Sequence, residues 1–315
     1  MMHPTLQLPS LRLPVFAAPM FLISGPDLVI AACKAGIIGA FPTPNARSID
    51  QLDEWMTRIA RETSGAAPWC ANLVTHRSNA RLPEDLALVA KHRPPFVVTA
   101  LGSPKPAVAV VEGYGGKVFA DVTTVTLAKK AVAAGAHGLA CICAGAGGHT
   151  GALSPFAFVS AVREFFDGPV IIGGGITDGA GVAGALAAGA DAVYMGTRFI
   201  ATHESMAPQA YRDMVVAAQI EDLLVSAGIT GTPASWLKPS LIANGLDPDN
   251  MPDAPNRAYD SGQSFKGKRW ADVWSAGQGV GAVHAVEPVA RVVDRLENEF
   301  RAARARLMAF GAVEA

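Results

Sequence analysis

Short apolar runs alternate along the first two thirds of the chain with stretches whose apolar residues recur at helical spacing. Most of the runs lie about 20 to 30 residues apart, a distance that leaves room for one helix between successive strands. The runs cover residues 15–18, 37–41, 69–74, 96–100, 117–122, 138–143, 169–173 and 192–196, and helical stretches between them include 27–35, 49–61, 124–134, 155–166 and 179–188. Eight such units predict an α/β fold, a TIM-type (β/α)8 barrel.

A doubly wound parallel sheet is the alternative, because it gives the same alternation. That fold would place a phosphate-binding loop after its first strand, where residues 17–21 read AAPMF and carry no GxGxxG motif. Gly36, Gly135 and Gly189 stand where helix C-termini favour glycine, which supports the predicted helix ends. The barrel is therefore the preferred interpretation.

The chain divides into a barrel and a less regular tail. Residues 1–200 are predicted to form the barrel domain, 201–280 a lid of helices and loops, and 281–315 a C-terminal helix that packs back on the barrel. Helices are expected at 206–227 and 288–308, and the connection at 228–267 is too long for an ordinary loop, which favours a lid. Apolar residues in the last helix leave homodimer formation open.

Composition excludes several classes of function. The 315 residues carry 26 basic and 27 acidic side chains, so no broad charge attracts nucleic acid or an anionic membrane. Neither a signal peptide nor a membrane span is predicted, and a cytoplasmic location is expected. The four cysteines lack a zinc-type CxxC spacing, so they are interpreted as reduced thiols and no metal site is predicted. These features favour a small-molecule partner.

The candidate functional residues lie in the loops that follow the last predicted strands. Residues 144–151 read AGAGGHTG directly after an apolar run, and His149 in this loop is the leading candidate for a catalytic base. Residues 173–178 (GGGITD) and 195–198 (MGTR) follow the seventh and eighth strands, where barrels commonly bind phosphate. The alternatives are a histidine that only caps a helix and glycines that only form tight turns.

These segments together resemble the FMN-dependent nitronate monooxygenases, formerly called 2-nitropropane dioxygenases. Relatives of that family include NADH:quinone reductases and a flavin-dependent enoyl reductase. The resemblance covers most of the chain and rests on AAPM at 17–20, Asn72, AGGHTG at 146–151, GGG at 173–175, MGTRF at 195–199 and WSAGQ at 274–278. Each motif is weak alone, but the combination is specific.

The resemblance implies FMN as the cofactor. It implies that Ala18, Pro19 and Met20 approach the isoalloxazine ring and that Asn72 binds its edge, although Asn72 bonding only local backbone is an alternative. The remaining cofactor-binding residues that it implies are Gly148 in the histidine loop, Gly173, Gly174, Gly175, Gly196 and Thr197 around the phosphate, and Gly277 and Gln278 closing over the flavin. Gly277 and Gln278 also fit a plain connector between helices.

The implied reaction is oxidation of alkyl nitronates or nitroalkanes with O2 to a carbonyl compound and nitrite. His149 would remove the α-proton of a neutral nitroalkane, while a substrate supplied as nitronate needs no base. The enzymatic alternative is an NAD(P)H-dependent FMN reductase of quinones or enoyl thioesters. A third hypothesis is a barrel that binds a phosphorylated metabolite or a protein without redox turnover.

Two positions depart from the resembled pattern. Gly145 stands where many relatives have glutamate, and Asp121 stands where some reductase relatives have a basic residue near the flavin. Asp121 as a cap for the helix that begins near Thr124 is the alternative interpretation. An apolar substrate chamber is expected from a set of large side chains, namely Met20, Phe21, Phe156, Trp236 and Trp274.

Overall fold

The computed structural model describes residues 3–252 and 270–311 of the chain. Its strands are β1 (Val15–Ala17), β2 (Ile38–Pro42), β3 (Trp69–Val74), β4 (Phe96–Ala100), β5 (Lys117–Val122), β6 (Gly138–Ile142), β7 (Gly148–His149), β8 (Val170–Gly173), β9 (Ala192–Met195), β10 (Leu223–Ser226) and β11 (Ala234–Leu237). Its α-helices are α1 (Pro26–Lys34), α2 (Ile49–Glu62), α3 (Leu82–His92), α4 (Lys105–Val111), α5 (Val125–Ala133), α6 (Pro155–Arg163), α7 (Gly179–Ala187), α8 (Thr197–Ile200), α9 (Gln209–Ala217), α10 (Lys238–Ala243) and α11 (Val289–Gly311).

Strands β1 to β6, β8 and β9 close into a barrel in chain order, and each neighbouring pair is parallel. The eight barrel strands coincide with the eight predicted runs to within a residue at each end. The (β/α)8 barrel is thus confirmed, and the doubly wound sheet is excluded because β9 returns to pair with β1.

Local signals in the sequence account for the helix boundaries. Helices α2, α5, α6 and α7 each begin after a residue whose side-chain oxygen accepts a hydrogen bond from the backbone three positions on, which satisfies an otherwise unpaired N–H. The capping residues are Ser48, Thr124, Ser154 and Asp178. The predicted terminal glycines Gly36, Gly135 and Gly189 all adopt positive φ just beyond their helices, as a left-handed C-terminal residue requires.

The barrel interior is built in layers from alternate strands. Phe16, Cys70, Phe119 and Ile171 belong to one interior cluster, and the rings of Phe16 and Phe119 meet edge to face at 6.1 Å. Because strand side chains alternate, the residues two positions further on face the same interior and form the next layer of these strands. That layer, at the C-terminal ends, consists of Ala18, Asn72, Asp121 and Gly173.

The tail beyond the barrel contains a small sheet that was not predicted. Strand β11 pairs antiparallel with both β10 and β7, so the short β7 strand of the histidine loop joins the lid. The predicted helix at 206–227 is wrong in its second half: α9 ends at Ala217 and residues 223–226 form β10. Of the predicted connection at 228–267, residues 253–267 lie outside the described residues.

The C-terminal helix lies on the barrel wall. Val289, Val292 and Leu296 of α11 are buried in the same core cluster as Val182 and Ala185 of α7. Glu299 of α11 accepts a hydrogen bond from the Gly179 N–H at 2.9 Å, which occupies one free donor at the start of α7. In the described ranges, no helix combines the length and the apolar character that a membrane crossing needs.

Candidate active site

Three of the predicted cofactor residues share the top interior layer of the barrel. Ala18 packs on the interior cluster, Gly173 ends β8, and Asn72 is buried within β3. The Asn72 amide donates to the Val98 carbonyl of the neighbouring strand β4 at 3.2 Å, a bond to backbone 26 residues away and not the local backbone bond of the alternative interpretation. A Cβ at Gly173 would lie 2.8 Å from the Tyr194 Cβ, so this position favours glycine for close approach.

The glycine turns after β8 and β9 lie beside each other, because these two strands are paired. Gly174 has φ +148° and Gly175 has φ +68°, backbone conformations that other residues rarely adopt. A Cβ at Gly196 would lie 3.5 Å from the Met20 sulfur and 3.9 Å from the Ala18 Cβ. The turn after β9 therefore meets the loop after β1, and the predicted ring and phosphate residues form one continuous surface.

The C-terminal segment reaches this surface through backbone contacts. The Gly277 N–H donates to Thr197 Oγ1 at 2.8 Å, and the Gln278 N–H donates to the Gly145 carbonyl at 2.9 Å. A Cβ at Gly277 would lie only 2.6 Å from the same Gly145 oxygen, so this position requires glycine for close approach. Gly277 and Gln278 are thus placed at the candidate site, and they join the histidine loop to the turn after β9.

His149 lies in β7 opposite Ala234 of β11. The pairing of this segment with the residues around β11 extends to the next residue, because the Thr150 N–H donates to the Pro233 carbonyl at 3.1 Å. The exposed imidazole meets the Trp270 ring edge to face at 5.3 Å, and no residue in 3–252 or 270–311 forms a hydrogen bond with it. The surrounding protein nevertheless disfavours the charged imidazolium, and this desolvation lowers the pKa of His149 below its usual value. The following helix is capped by Ser154, so the helix-cap alternative for His149 is excluded.

Gly145 is buried at the point where three segments of the chain meet. Its carbonyl accepts from both the Gly175 N–H and the Gln278 N–H, which ties together the loops after β6 and β8 and the C-terminal segment. Its φ is +86°, and a Cβ there would lie 2.7 Å from the Gln278 Oε1 atom. Gln278 therefore occupies the space that a larger side chain at Gly145 would need.

Sequence reasoning misplaced several aromatic residues. Trp236 is completely buried in the lid core, Trp274 stacks on Tyr211 at 5.0 Å, and Phe156 is exposed on α6. Trp270, which was not predicted, instead stands against His149 and stacks on Trp236 at 4.6 Å. The only signal in the sequence was a tryptophan shortly before the WSAGQ segment. Trp270 has no regular spacing that distinguishes it from the other tryptophans.

Asp121 was left off the predicted site, yet it faces the barrel interior. Helix α5 is capped by Thr124, whose Oγ1 accepts from the Leu127 N–H at 3.2 Å, so the cap alternative for Asp121 is wrong. Burial raises the pKa of the Asp121 carboxyl to about 7. Such a carboxyl group at the mouth of a barrel is a candidate functional residue.

Two cavities flank the barrel. One of about 480 Å³ opens beside Gly175 and Gln278 and is also lined by Gln219 and His284. The other, of about 430 Å³, lies beside Arg12 and Phe300, away from the loops after β6, β8 and β9. The described residues contain no group of three or more His, Cys, Asp or Glu side chains arranged to hold a metal ion.

The closed barrel with converging loops at the C-terminal ends of its strands defines a TIM-barrel enzyme. The sequence matches the nitronate monooxygenase family over residues 71–299, and the chain belongs to that family. It is 28% identical to a nitronate monooxygenase of Paraburkholderia phytofirmans over 94% of each chain. It is also 28% identical, over 82% of this chain and 72% of the relative, to the (3aS,4S,5R,7aS)-5-hydroxy-7a-methyl-1-oxo-octahydro-1H-indene-4-carboxyl-CoA dehydrogenase of Rhodococcus jostii.

A solved structure agrees with this assignment. A nitroalkane oxidase from Streptomyces ansochromogenes superposes with a TM-score of 0.80 at 25% identity and covers 94% of this chain and 98% of its own. The predicted family and fold are both confirmed.

Proposed function

We propose that the chain is an FMN-dependent enzyme that oxidises alkyl nitronates with O2 to a carbonyl compound and nitrite. The observation that carries the proposal is the convergence of the His149 loop with the glycine turns after β8 and β9, in a chain of the nitronate monooxygenase family. This arrangement supports a flavin on the barrel mouth and a proton acceptor above it.

The residues present fit a flavin mononucleotide. Gly174 and Gly175 form a positive-φ turn that leaves Gly175 exposed, Gly196 follows the neighbouring strand, and Thr197 adds a hydroxyl group. The ring would lie over the layer of Ala18, Asn72 and Gly173, with Pro19 and Met20 beside it and Gly148, Gly277 and Gln278 near its open face. FMN supplies, when bound, the electron-accepting chemistry that side chains lack.

His149 supplies the proton chemistry for neutral substrates. Its lowered pKa keeps the imidazole unprotonated near neutral pH, so a ring nitrogen can accept the α-proton of a nitroalkane. Trp270 holds the ring by an edge-to-face contact in place of a hydrogen bond.

The test is the His149→Asn variant, assayed on a neutral nitroalkane and on its preformed nitronate. We expect the variant to retain FMN and nitronate oxidation but to lose most turnover of the nitroalkane, about 100-fold or more, as for removal of a general base. Equal loss on both substrates would contradict the base role. Retained flavin absorbance controls for damage to the cofactor site.

A second candidate is a flavin-dependent oxidoreductase of CoA thioesters or quinones that uses NAD(P)H. The Rhodococcus jostii relative, whose name specifies a carboxyl-CoA substrate, is the observation that favours it. Bleaching of the bound flavin by NADH, followed by reoxidation with an enoyl-CoA, would support this candidate over the first.

A further inference from the structure

The interior layer that contains Ala18, Asn72 and Gly173 has a fourth member, Asp121 of β5. Its place follows from register: Asp121 stands two residues beyond Phe119, as Asn72 stands two beyond Cys70. Three of the four residues in this layer are candidate flavin-binding residues, and the fourth, Asp121, carries the only ionisable side chain of the layer.

One oxygen atom of the Asp121 carboxyl group has no hydrogen-bond partner among the described residues. Its Oδ1 atom is buried without a hydrogen bond from any described residue, and the hydroxyl of Tyr194, which also faces the interior, is in the same state. Buried polar atoms without partners are uncommon in native proteins and indicate a missing ligand, water or ion. The residue as a whole is only half-buried, and it belongs to the interior layer at the C-terminal ends of the strands.

The surroundings of Asp121 are electrically neutral. The titratable groups near it are Cys70 on β3, Cys141 on β6 and Tyr194 on β9, and no cationic side chain of the described residues acts on its pKa. Desolvation alone raises that pKa to about 7, so the protonated carboxyl group is a substantial species at neutral pH. A protonated carboxyl group donates one hydrogen bond as well as accepting.

We propose that Asp121 is a further flavin-binding residue of this chain, with its carboxyl group against the polar edge of the isoalloxazine ring. The inference rests on the proposed function, because it requires the ring to occupy the barrel mouth. A negative charge on the reduced ring opposes a negative charge on the adjacent carboxylate. When dithionite delivers two electrons to the flavin at alkaline pH, the ring takes up one proton and keeps one negative charge. The Asp121 carboxylate therefore takes up a second proton from solvent.

The experiment compares the FMN complexes of the wild type, Asp121→Asn and Asp121→Ala. Glu164→Gln is the matched control, since it removes an exposed carboxylate at the end of α6. FMN affinity is measured by quenching of flavin fluorescence, and the midpoint potential is measured against reference dyes from pH 6 to 10.

We expect Asp121→Ala to bind FMN about tenfold more weakly, while Asp121→Asn, which keeps the shape, stays within about threefold. In the wild type and in Glu164→Gln, the potential should fall more steeply with pH than in Asp121→Asn over part of this range. The extra slope corresponds to the uptake of one additional proton. It is a tenfold change in the equilibrium constant of reduction per pH unit, or about 30 mV per pH unit for a two-electron couple.

Coincident slopes and equal affinities in all four proteins would overturn the inference and leave the proposed function intact. A wild type that does not bind FMN would overturn both. The slope comparison needs only the isosteric Asn variant, so it remains decisive if Asp121→Ala does not fold.

Discussion

The proposed cofactor side and the proposed substrate side of the candidate site are built differently. The cofactor side consists of barrel strands and the turns that follow them, with Ala18, Asn72 and Gly173 fixed by parallel register. The substrate side consists of β7, β11 and Trp270, brought together by pairing across more than eighty residues of sequence. Barrel register is maintained by the whole core, whereas the lid contact of His149 depends on a two-residue strand.

This difference indicates which properties should change together. A change on the barrel side alters flavin affinity, and because every redox step needs the flavin, it should reduce activity with all substrates. A change on the lid side leaves the flavin in place and should discriminate between neutral nitroalkanes and nitronates. The following predictions test that separation, from the largest effect to the smallest.

Gly174→Ala should have the broadest effect, because it alters both stability and flavin binding. A Cβ at this position would lie 2.5 Å from the Ala144 carbonyl oxygen, and φ is +148°, so the turn must shift. We expect a loss of about 1–3 kcal/mol in the free energy of unfolding and FMN binding weakened by more than about tenfold, measured by denaturation and fluorescence titration.

Gly184→Ala is its matched control, because this residue lies in α7 and a Cβ there would meet no other described element within 4 Å. It should stabilise the protein by about 0.5–1 kcal/mol with FMN affinity unchanged. Equal losses in the two variants would contradict a specific role for the turn after β8.

The pH dependence should separate the two substrates. Because desolvation lowers the pKa of His149, the neutral base prevails down to a pH below its usual range near 6.5. The kcat/KM for a neutral nitroalkane should therefore fall about tenfold per pH unit only below that lowered pKa and should be flat above it. With the nitronate as substrate, kcat/KM should not show the fall at low pH that protonation of His149 causes. A fall at the same pH with the nitronate would argue against the base role.

Trp270→Ala should have the smallest effect. Removing an aromatic contact of about 0.5–1.5 kcal/mol loosens the imidazole and should lower kcat/KM for the nitroalkane by about 2- to 10-fold. Flavin affinity should not change. Trp55→Ala is the control, since Trp55 packs on Phe41 in a different core cluster, and a comparable catalytic loss there would show that the effect is not local.

The barrel was predictable from sequence because each strand and helix carries its own signal. Apolar runs, N-terminal caps such as Ser48 and glycines such as Gly36 act within a few residues of where they stand. The glycine turns were predictable for the same reason, since positive φ is a local demand. Their assignment to FMN remains a prediction that comes from family resemblance.

The lid could not be predicted in the same way. Residues 223–226 continue an apolar stretch that suits a helix, and only pairing with β11 makes them a strand. His149 was expected in a free loop, because a two-residue strand has no periodicity to detect. Asp121 was ambiguous between cap and interior until the register of β5 decided it.

The most direct test of the central claim is an anaerobic spectrum of the purified, FMN-loaded protein mixed with propyl-2-nitronate, with NADH in a parallel cell. The account predicts that the nitronate reduces the bound flavin, seen as loss of its visible absorbance, while NADH alone leaves it oxidised. Reduction by NADH with no response to the nitronate would contradict the account and favour the thioester or quinone reductase.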